Sequence, residues 1–161
     1  MPENAEELFE HELRDIYDAE HKLVRATDTM AKKVKDETLK SAFREHHEVT
    51  KGQVERLKGV FDDIGRKPRR EACDGINGLI EEFSGFVKDE KPSPEVLNFF
   101  AIGAASKVEQ YEIQAYKSLI SLAEKLGLNE SVGLLTENLT EEEETATKLE
   151  KMSGAFVKKL S

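Results

Sequence analysis

The sequence predicts an all-α protein, an antiparallel four-helix bundle whose middle connection is a long crossover. Four long segments carry apolar residues at three-and-four spacing, the pattern of a helix with one buried stripe. Two of the connections between them are short, as in antiparallel hairpins, whereas the central one spans about residues 66–92. The chain is 35% charged and has no tryptophan and only four prolines, which favours helices over sheets.

The first two helices are expected to form one hairpin. The first runs from about residue 3 to 35, and its apolar stripe begins at Phe9 and Leu13. The second runs from about 37 to 64 and ends at Gly65, a residue type that commonly closes helices. Because so few residues separate them, these two helices should pack antiparallel.

The last two helices are expected to form a second hairpin. The third begins at Ser93 or Pro94, with Ser93 as N-cap and Pro94 at the first helical position, and runs to residue 125. Gly127 separates it from the fourth helix, which runs from about 129 to 159. The short connection again predicts an antiparallel pair.

The crossover keeps a helical period of its own and should contain a short amphipathic helix. The chain from 1 to 161 is therefore interpreted as a single domain without a second core. The apolar residues that carry this period are Ile76, Leu79, Ile80, Phe83, Phe86 and Val87.

Composition and charge exclude several classes of function. The formal net charge is −9, and acidic residues are spread along the chain, which argues against nucleic acid or an anionic membrane as partner. The longest apolar run, residues 99–105, is far too short to span a bilayer, and the amino terminus lacks the pattern of a signal peptide. The single cysteine, Cys73, cannot form an internal disulfide. A cytoplasmic protein is expected.

Four glutamates fall inside the apolar stripes. Glu20 lies at the centre of the first stripe, Glu109 and Glu112 both point inward on the third helix, and Glu142 lies in the middle of the fourth. Burying an ionised carboxylate without a partner is energetically costly. These four residues therefore need an explanation that surface glutamates do not.

The same glutamates also agree in height along the bundle. Glu112 lies about fifteen residues before the turn near Gly127 and Glu142 about fifteen after it, while Glu20 lies about sixteen before the first turn. Converging carboxylates repel one another unless they are protonated or neutralised. Divalent cations are the common solution in bundle interiors, so a metal site is predicted, with Glu112 best suited to bridge two ions. Protonation or pairing with lysines is the alternative.

The second helix supplies a weaker set of candidates. At the matching height its inward positions are Thr50 and Gln53 rather than a glutamate followed by a histidine. His46 also faces inward, but about 10 Å nearer the first turn. His46 is a ligand only if the site is shifted toward that turn, and a buried structural histidine is the equally open alternative.

Four segments occur together in a characteristic order: DIYDAEHKL (15–23), HHEVTKGQVERL (46–57), KVEQYEIQAY (107–116) and LTEEEETATKLE (139–150). In this combination the chain resembles the YciF-like stress-response proteins of bacteria, which belong to the ferritin-like superfamily. The resemblance implies a ferritin-like bundle that binds two divalent metal ions, iron or manganese. It implies these positions for the metal site: Glu20, Glu109, Glu112, Glu142, His46 and Gln53. Ala146 stands where similar sequences often carry an aspartate, which leaves one potential ligand fewer.

Two functions follow as hypotheses. The first is a stress-associated ferritin-like protein whose di-metal centre handles dioxygen or peroxide, with the catalytic residues unknown. The second is a non-enzymatic stress protein that acts through protein–protein interaction and has no functional metal. A homodimer is the expected assembly, because twofold pairing is the commonest symmetry.

Overall fold

Four long α-helices form an antiparallel bundle and a fifth, shorter one lies in the crossover, which confirms the predicted fold class. A computed structural model of the chain describes residues 2–161. No helix within these residues is both long and apolar enough to cross a membrane. The α-helices are α1 (Ala5–Lys33), α2 (Glu37–Asp63), α3 (Asp74–Asp89), α4 (Pro94–Leu126) and α5 (Asn129–Phe156), and a 3-10 helix follows at Val157–Lys159.

The helices begin and end close to the predicted residues. Asn4 and Ser93 cap α1 and α4, each accepting a hydrogen bond from a backbone N–H of the first turn, and Pro94 occupies the first position of α4. Gly65 and Gly127 follow α2 and α4 with φ of 66° and 72°. Glycine adopts this left-handed conformation without a Cβ penalty, so each one lets the chain leave its helix sharply.

Contacts at the two ends of the bundle fix the helix directions. The Asn98 side chain, near the start of α4, accepts a hydrogen bond of 2.9 Å from the backbone N–H of Lys35, which lies in the α1–α2 turn. At the opposite end, Asp63 accepts hydrogen bonds from the backbone N–H and the hydroxyl of Ser131, near the start of α5. Helices α1 and α5 therefore run in one direction and α2 and α4 in the other.

The crossover helix α3 packs mainly against α4. At its start, Gly75 lies so close to the Tyr111 ring that a Cβ at this position would come within 2.5 Å of the ring. Near its end, the Phe86 ring stacks on Phe100 with centroids 3.7 Å apart. The predicted apolar stripe faces the bundle, but only two of its residues, Ile76 and Phe83, are buried.

Two apolar clusters fill the bundle, one in each half. The half near the α4–α5 turn contains buried residues that include Phe9, Leu13, Phe61, Leu119 and Leu135. The half near the α1–α2 turn contains buried residues that include Leu39, Phe43, Ile102, Leu149 and Phe156. Between the two clusters lies a layer of buried polar side chains.

Replacing Asn98 by alanine should destabilise the protein without changing its fold. Asn98 is buried, and its side-chain oxygen also accepts from the N–H of Asp36 at 3.4 Å. Its loss leaves the Lys35 N–H without this partner, so we expect the free energy of unfolding to fall by about 1–2 kcal/mol. Urea denaturation followed by circular dichroism measures this.

The exposed Gln110, on the same helix, provides the control. Gln110→Ala should change the free energy of unfolding by no more than about 0.5 kcal/mol. Equal stabilities of the two variants would show that Asn98 does not anchor α4 to the α1–α2 turn.

Candidate metal centre

The polar layer contains all six residues that the sequence singles out, although their role as ligands stays a prediction. Its glutamates and its glutamine are at most 1% exposed, and the histidine is 9% exposed. All four bundle helices contribute, since α1 supplies Glu20, α2 supplies His46 and Gln53, α4 supplies Glu109 and Glu112, and α5 supplies Glu142.

Five of these side chains form two groups that share one member. His46, Glu109 and Glu142 can each place one ligand atom within 4.8 Å of the others, and so can Glu20, Glu112 and Glu142. Within the first group, His46 Nε2 lies 3.0 Å from Glu109 Oε1. The sequence favours Glu112 as the bridging residue, but the geometry places Glu142 in both groups because its carboxyl group lies between them.

His46 lies next to Glu109 because of the way the two hairpins are aligned along the bundle axis. His46 lies about ten residues along α2 from Asp36, and Glu109 lies about eleven along α4 from Asn98. Since Asn98 contacts the α1–α2 turn, these distances put His46 and Glu109 at one level. The site thus extends toward that turn, which is the shift that a His46 ligand requires.

Unpartnered polar atoms are concentrated in this layer. Among residues 2–161, seven buried side-chain nitrogen and oxygen atoms have no hydrogen-bonding partner, and six of them belong to the layer. A buried polar atom without a partner is costly, and native proteins contain few. A divalent cation can satisfy carboxylate oxygens and an imidazole nitrogen together, so the residues present fit a metal site.

The electrostatics of the metal-free layer favour bound protons. Burial, reinforced by the charge of Glu142, raises the pKa of Glu20 to about 8. Burial raises the pKa of Glu109 to about 7. Burial and the neighbouring carboxylates also raise the pKa of Glu112 and the pKa of Glu142 well above their ordinary value. Without a cation, therefore, Glu20 and Glu109 stay partly protonated at neutral pH, and Glu112 and Glu142 retain protons more readily than exposed glutamates do.

A hydrogen-bond chain connects the layer to the surface. The Tyr116 hydroxyl donates to Glu20, and the Asn138 amide donates to the Tyr116 oxygen at 3.1 Å. Arg56 donates to the Asn138 side-chain oxygen at 2.9 Å and to the half-buried Glu141 at 2.6 Å. Asn138 and Arg56 are absent from the sequence prediction. Helical spacing could have found Asn138, which lies three residues after the buried Leu135 and four before Glu142.

The two remaining inward candidates of α2, Gln53 and Thr50, and the buried Tyr17 make other contacts. Gln53 donates its amide to Glu142 and so orients that carboxylate. The Thr50 hydroxyl donates to the backbone carbonyl of His46 at 2.9 Å. The Tyr17 ring packs edge-on against Phe61 in the apolar cluster near the α4–α5 turn. Of these three, only Gln53 forms a side-chain hydrogen bond with a glutamate of the layer.

Comparison with known proteins identifies the family. Residues 4–160 match the family model described as a domain of unknown function, DUF892. The chain belongs to this family. Protein YciF of Escherichia coli K12 is 41% identical over 145 residues, which are 89% of this chain and 87% of that protein. The resemblance to YciF-like proteins is therefore confirmed.

Solved structures of related proteins have the same architecture as this DUF892 protein. The E. coli stress protein YciF matches with a TM-score of 0.93 at 38% identity, over 99% of this chain and all of that one. YcfI from Rhodopseudomonas palustris, a proposed structural protein, matches with a TM-score of 0.89 at 38% identity, over 92% of this chain and 94% of the other. A Xanthomonas campestris protein at 19% identity has a TM-score of 0.74 over 96% of this chain and 94% of its own, and shows the fold alone.

The stability of the metal-free protein should fall as pH rises. A carboxyl group whose pKa is raised in the native state stabilises the fold fully below its ordinary pKa of 4.5 and loses that contribution as pH rises through the native value, about 8 for Glu20. We expect the free energy of unfolding to decrease between about pH 5 and 8, by about 1.4 kcal/mol per pH unit for each additional proton bound by the native state. Urea denaturation with a chelator present measures it.

The variant Glu112→Gln tests whether the layer causes this pH dependence. The amide is neutral at every pH, so the free energy of unfolding of the variant should depend less steeply on pH. The difference should correspond to about one proton, or about 1.4 kcal/mol per pH unit. The variant should also be more stable than the wild type at the alkaline end. If wild type and variant have the same slope, the pH dependence arises elsewhere.

Proposed function

We propose that this protein binds two divalent metal ions, iron or manganese, next to each other inside the bundle. One ion would be held by His46, Glu109 and Glu142, and the other by Glu20, Glu112 and Glu142. The observation that carries the proposal is the set of six unpartnered buried atoms contributed by four helices. Carboxylate and imidazole donors suit both metals.

Charge balance supports two ions rather than one. Two divalent ions carry four positive charges, which equal the negative charge of the four glutamates in the layer when all are ionised. Metal binding then replaces protons on these carboxylates, because the raised pKa values of Glu20 and Glu109 favour bound protons in the absence of metal. Affinity should accordingly increase with pH.

The chain's own residues prepare the ligands by fixing one oxygen of a carboxylate and leaving the other toward the site. Tyr116 donates to Oε1 of Glu20, and Gln53 donates to Oε1 of Glu142, while Oε2 of both glutamates has no partner. Such outer hydrogen bonds orient ligands and tune a metal site. The apolar clusters above and below the layer shield it from water along the bundle axis. Bound iron or manganese would supply one-electron chemistry toward dioxygen or peroxide.

A non-enzymatic role is the second candidate. The E. coli relative is described as a stress protein and the R. palustris relative as a proposed structural protein, which fits action through protein–protein interaction. In that case the carboxylates would be satisfied by protons. We propose a stress-associated role under either candidate, and metal content distinguishes the two.

Homodimeric assembly and a cytoplasmic location stay predictions. Nucleic acid and membranes remain unfavoured partners for a chain with a net charge of −9. Light scattering after size exclusion, on metal-free and metal-loaded protein, would measure the assembly directly.

Metal content should respond differently to three substitutions. Wild type loaded anaerobically with Fe(II) or Mn(II) and desalted should retain about two ions per chain, as in other bundle di-metal sites. Because Glu142 belongs to both groups, Glu142→Ala should lose both ions. Glu20→Ala and His46→Ala should each lose about one. Elemental mass spectrometry gives the ratios.

Glu143→Ala is the matched control, because Glu143 is the exposed neighbour of Glu142 on α5. It should retain as much metal as wild type. If the wild type retains no metal, or if all four variants retain equal amounts, the proposed di-metal centre is wrong and the protein-interaction role is favoured.

Reactivity should follow the metal content. Fe(II)-loaded wild type should be oxidised by dioxygen or peroxide at least about tenfold faster than Fe(II) mixed with Glu142→Ala, because the shared carboxylate lowers the cost of the higher charge. Stopped-flow absorbance of ferric iron measures the rates, with Glu143→Ala again as control. Equal rates for wild type and Glu142→Ala would show that the protein does not accelerate this oxidation, even if it binds metal.

A further inference from the structure

A cavity of about 300 Å³ lies beneath the crossover helix, between α1, α3 and α4. This volume corresponds to about ten non-hydrogen atoms, taking roughly 30 Å³ for each, as for liquid water. Most of its lining is apolar and includes Leu23, Met30, Phe43, Ile80, Phe83 and Val108. The cavity opens to solvent on one side, and an apolar molecule that fills it would remove its apolar lining from water.

The cavity lies on the α1 side of α3, because α3 packs mainly against α4. Gly75 against Tyr111 fixes the start of α3, and Phe86 against Phe100 fixes its end. Between these contacts, the apolar α3 residue Ile80 is only half-buried although it faces the bundle and lines the cavity. An apolar molecule in this space would give α3 the packing that the chain itself does not supply.

Two basic residues of α1 line the same cavity. Lys22 and Arg25 are one helical turn apart. Lys22 pairs with Asp18, whereas Arg25 is exposed and makes no ion pair with any residue in the range 2–161. The rim therefore presents a free guanidinium, the group best suited to bind a carboxylate.

The inner end of the cavity has the opposite character. Glu109 and His46 line it there, and both are buried. The Glu109 carboxyl group already contacts His46, whereas Arg25 is free, so an acidic guest would direct its charge to Arg25 and its chain inward. We propose that this cavity binds a monocarboxylic acid with a hydrocarbon chain, a guest of about ten non-hydrogen atoms.

The binding proposal does not rest on the di-metal centre. The end of the chain would contact His46 and Glu109, which belong to one proposed ligand group, but the cavity and its rim are formed by protein atoms alone. The experiment is therefore carried out on metal-free protein in the presence of a chelator, so that failure of the metal proposal leaves its result unaffected.

Calorimetric titration with octanoate, octanol and octylamine separates the contribution of the head group from that of the chain. Octanoate should bind saturably with one site per chain, and octylamine at least about tenfold more weakly. Octanol should lie between them. If octanoate does not saturate, or if octylamine binds as tightly, the proposal is overturned.

Two substitutions locate the site. Arg25→Gln should weaken octanoate binding severalfold and leave octanol unchanged, whereas Arg44→Gln, at an exposed arginine outside the cavity, should alter neither. Ala104→Phe should fill the cavity and weaken both ligands at least about tenfold. Ala115→Phe, at a half-buried α4 position outside the cavity, is its control.

Thermal unfolding confirms that each variant is folded. Arg25 is exposed, so its replacement tests the proposal even if a phenylalanine disturbs the bundle. Octanoate affinities unchanged in both Arg25→Gln and Ala104→Phe would overturn it.

Discussion

The burial of four carboxyl groups at one level of the bundle is the constraint on which the rest of the structure depends. Glu20, Glu109, Glu112 and Glu142 are at most 1% exposed, and each lies near others of the same charge. The apolar clusters on either side can neither neutralise nor hydrate them. The layer must therefore be balanced by protons or by cations, and this choice couples stability to pH and to metal.

The hydrogen bonds around the layer position its ligands without neutralising them. Tyr116 and Gln53 each hold one carboxylate oxygen in place, and Asn138 and Arg56 extend the Tyr116 contact outward to Glu141 on the surface. These donors are neutral except for the last, which lies at the edge of the bundle. A basic side chain buried nearer the centre would have neutralised the glutamates permanently. Instead, one oxygen of each glutamate has no hydrogen-bonding partner.

Local spacing predicts which residues face inward, and here it was sufficient for the helices and for the four glutamates. It was not sufficient for His46, because the height of one hairpin relative to the other depends on a contact between Asn98 and Lys35, which are distant in sequence. The same limitation applies to Arg56, whose partners lie on α5. Periodicity likewise predicted the apolar stripe of α3 but not the cavity beneath it. The spacing of apolar residues indicates which way their side chains point, but not how tightly they pack.

The cavity makes the two groups of the layer unequal. His46 and Glu109 line it, whereas Glu20 and Glu112 do not. A small molecule that enters beneath α3 therefore reaches the His46 group first, while the Glu20 group is enclosed by the apolar cluster and by Tyr116. The apolar part of the lining favours the hydrocarbon part of a guest at this entrance. Access to one group and enclosure of the other thus follow from a single feature, the cavity beneath the crossover helix.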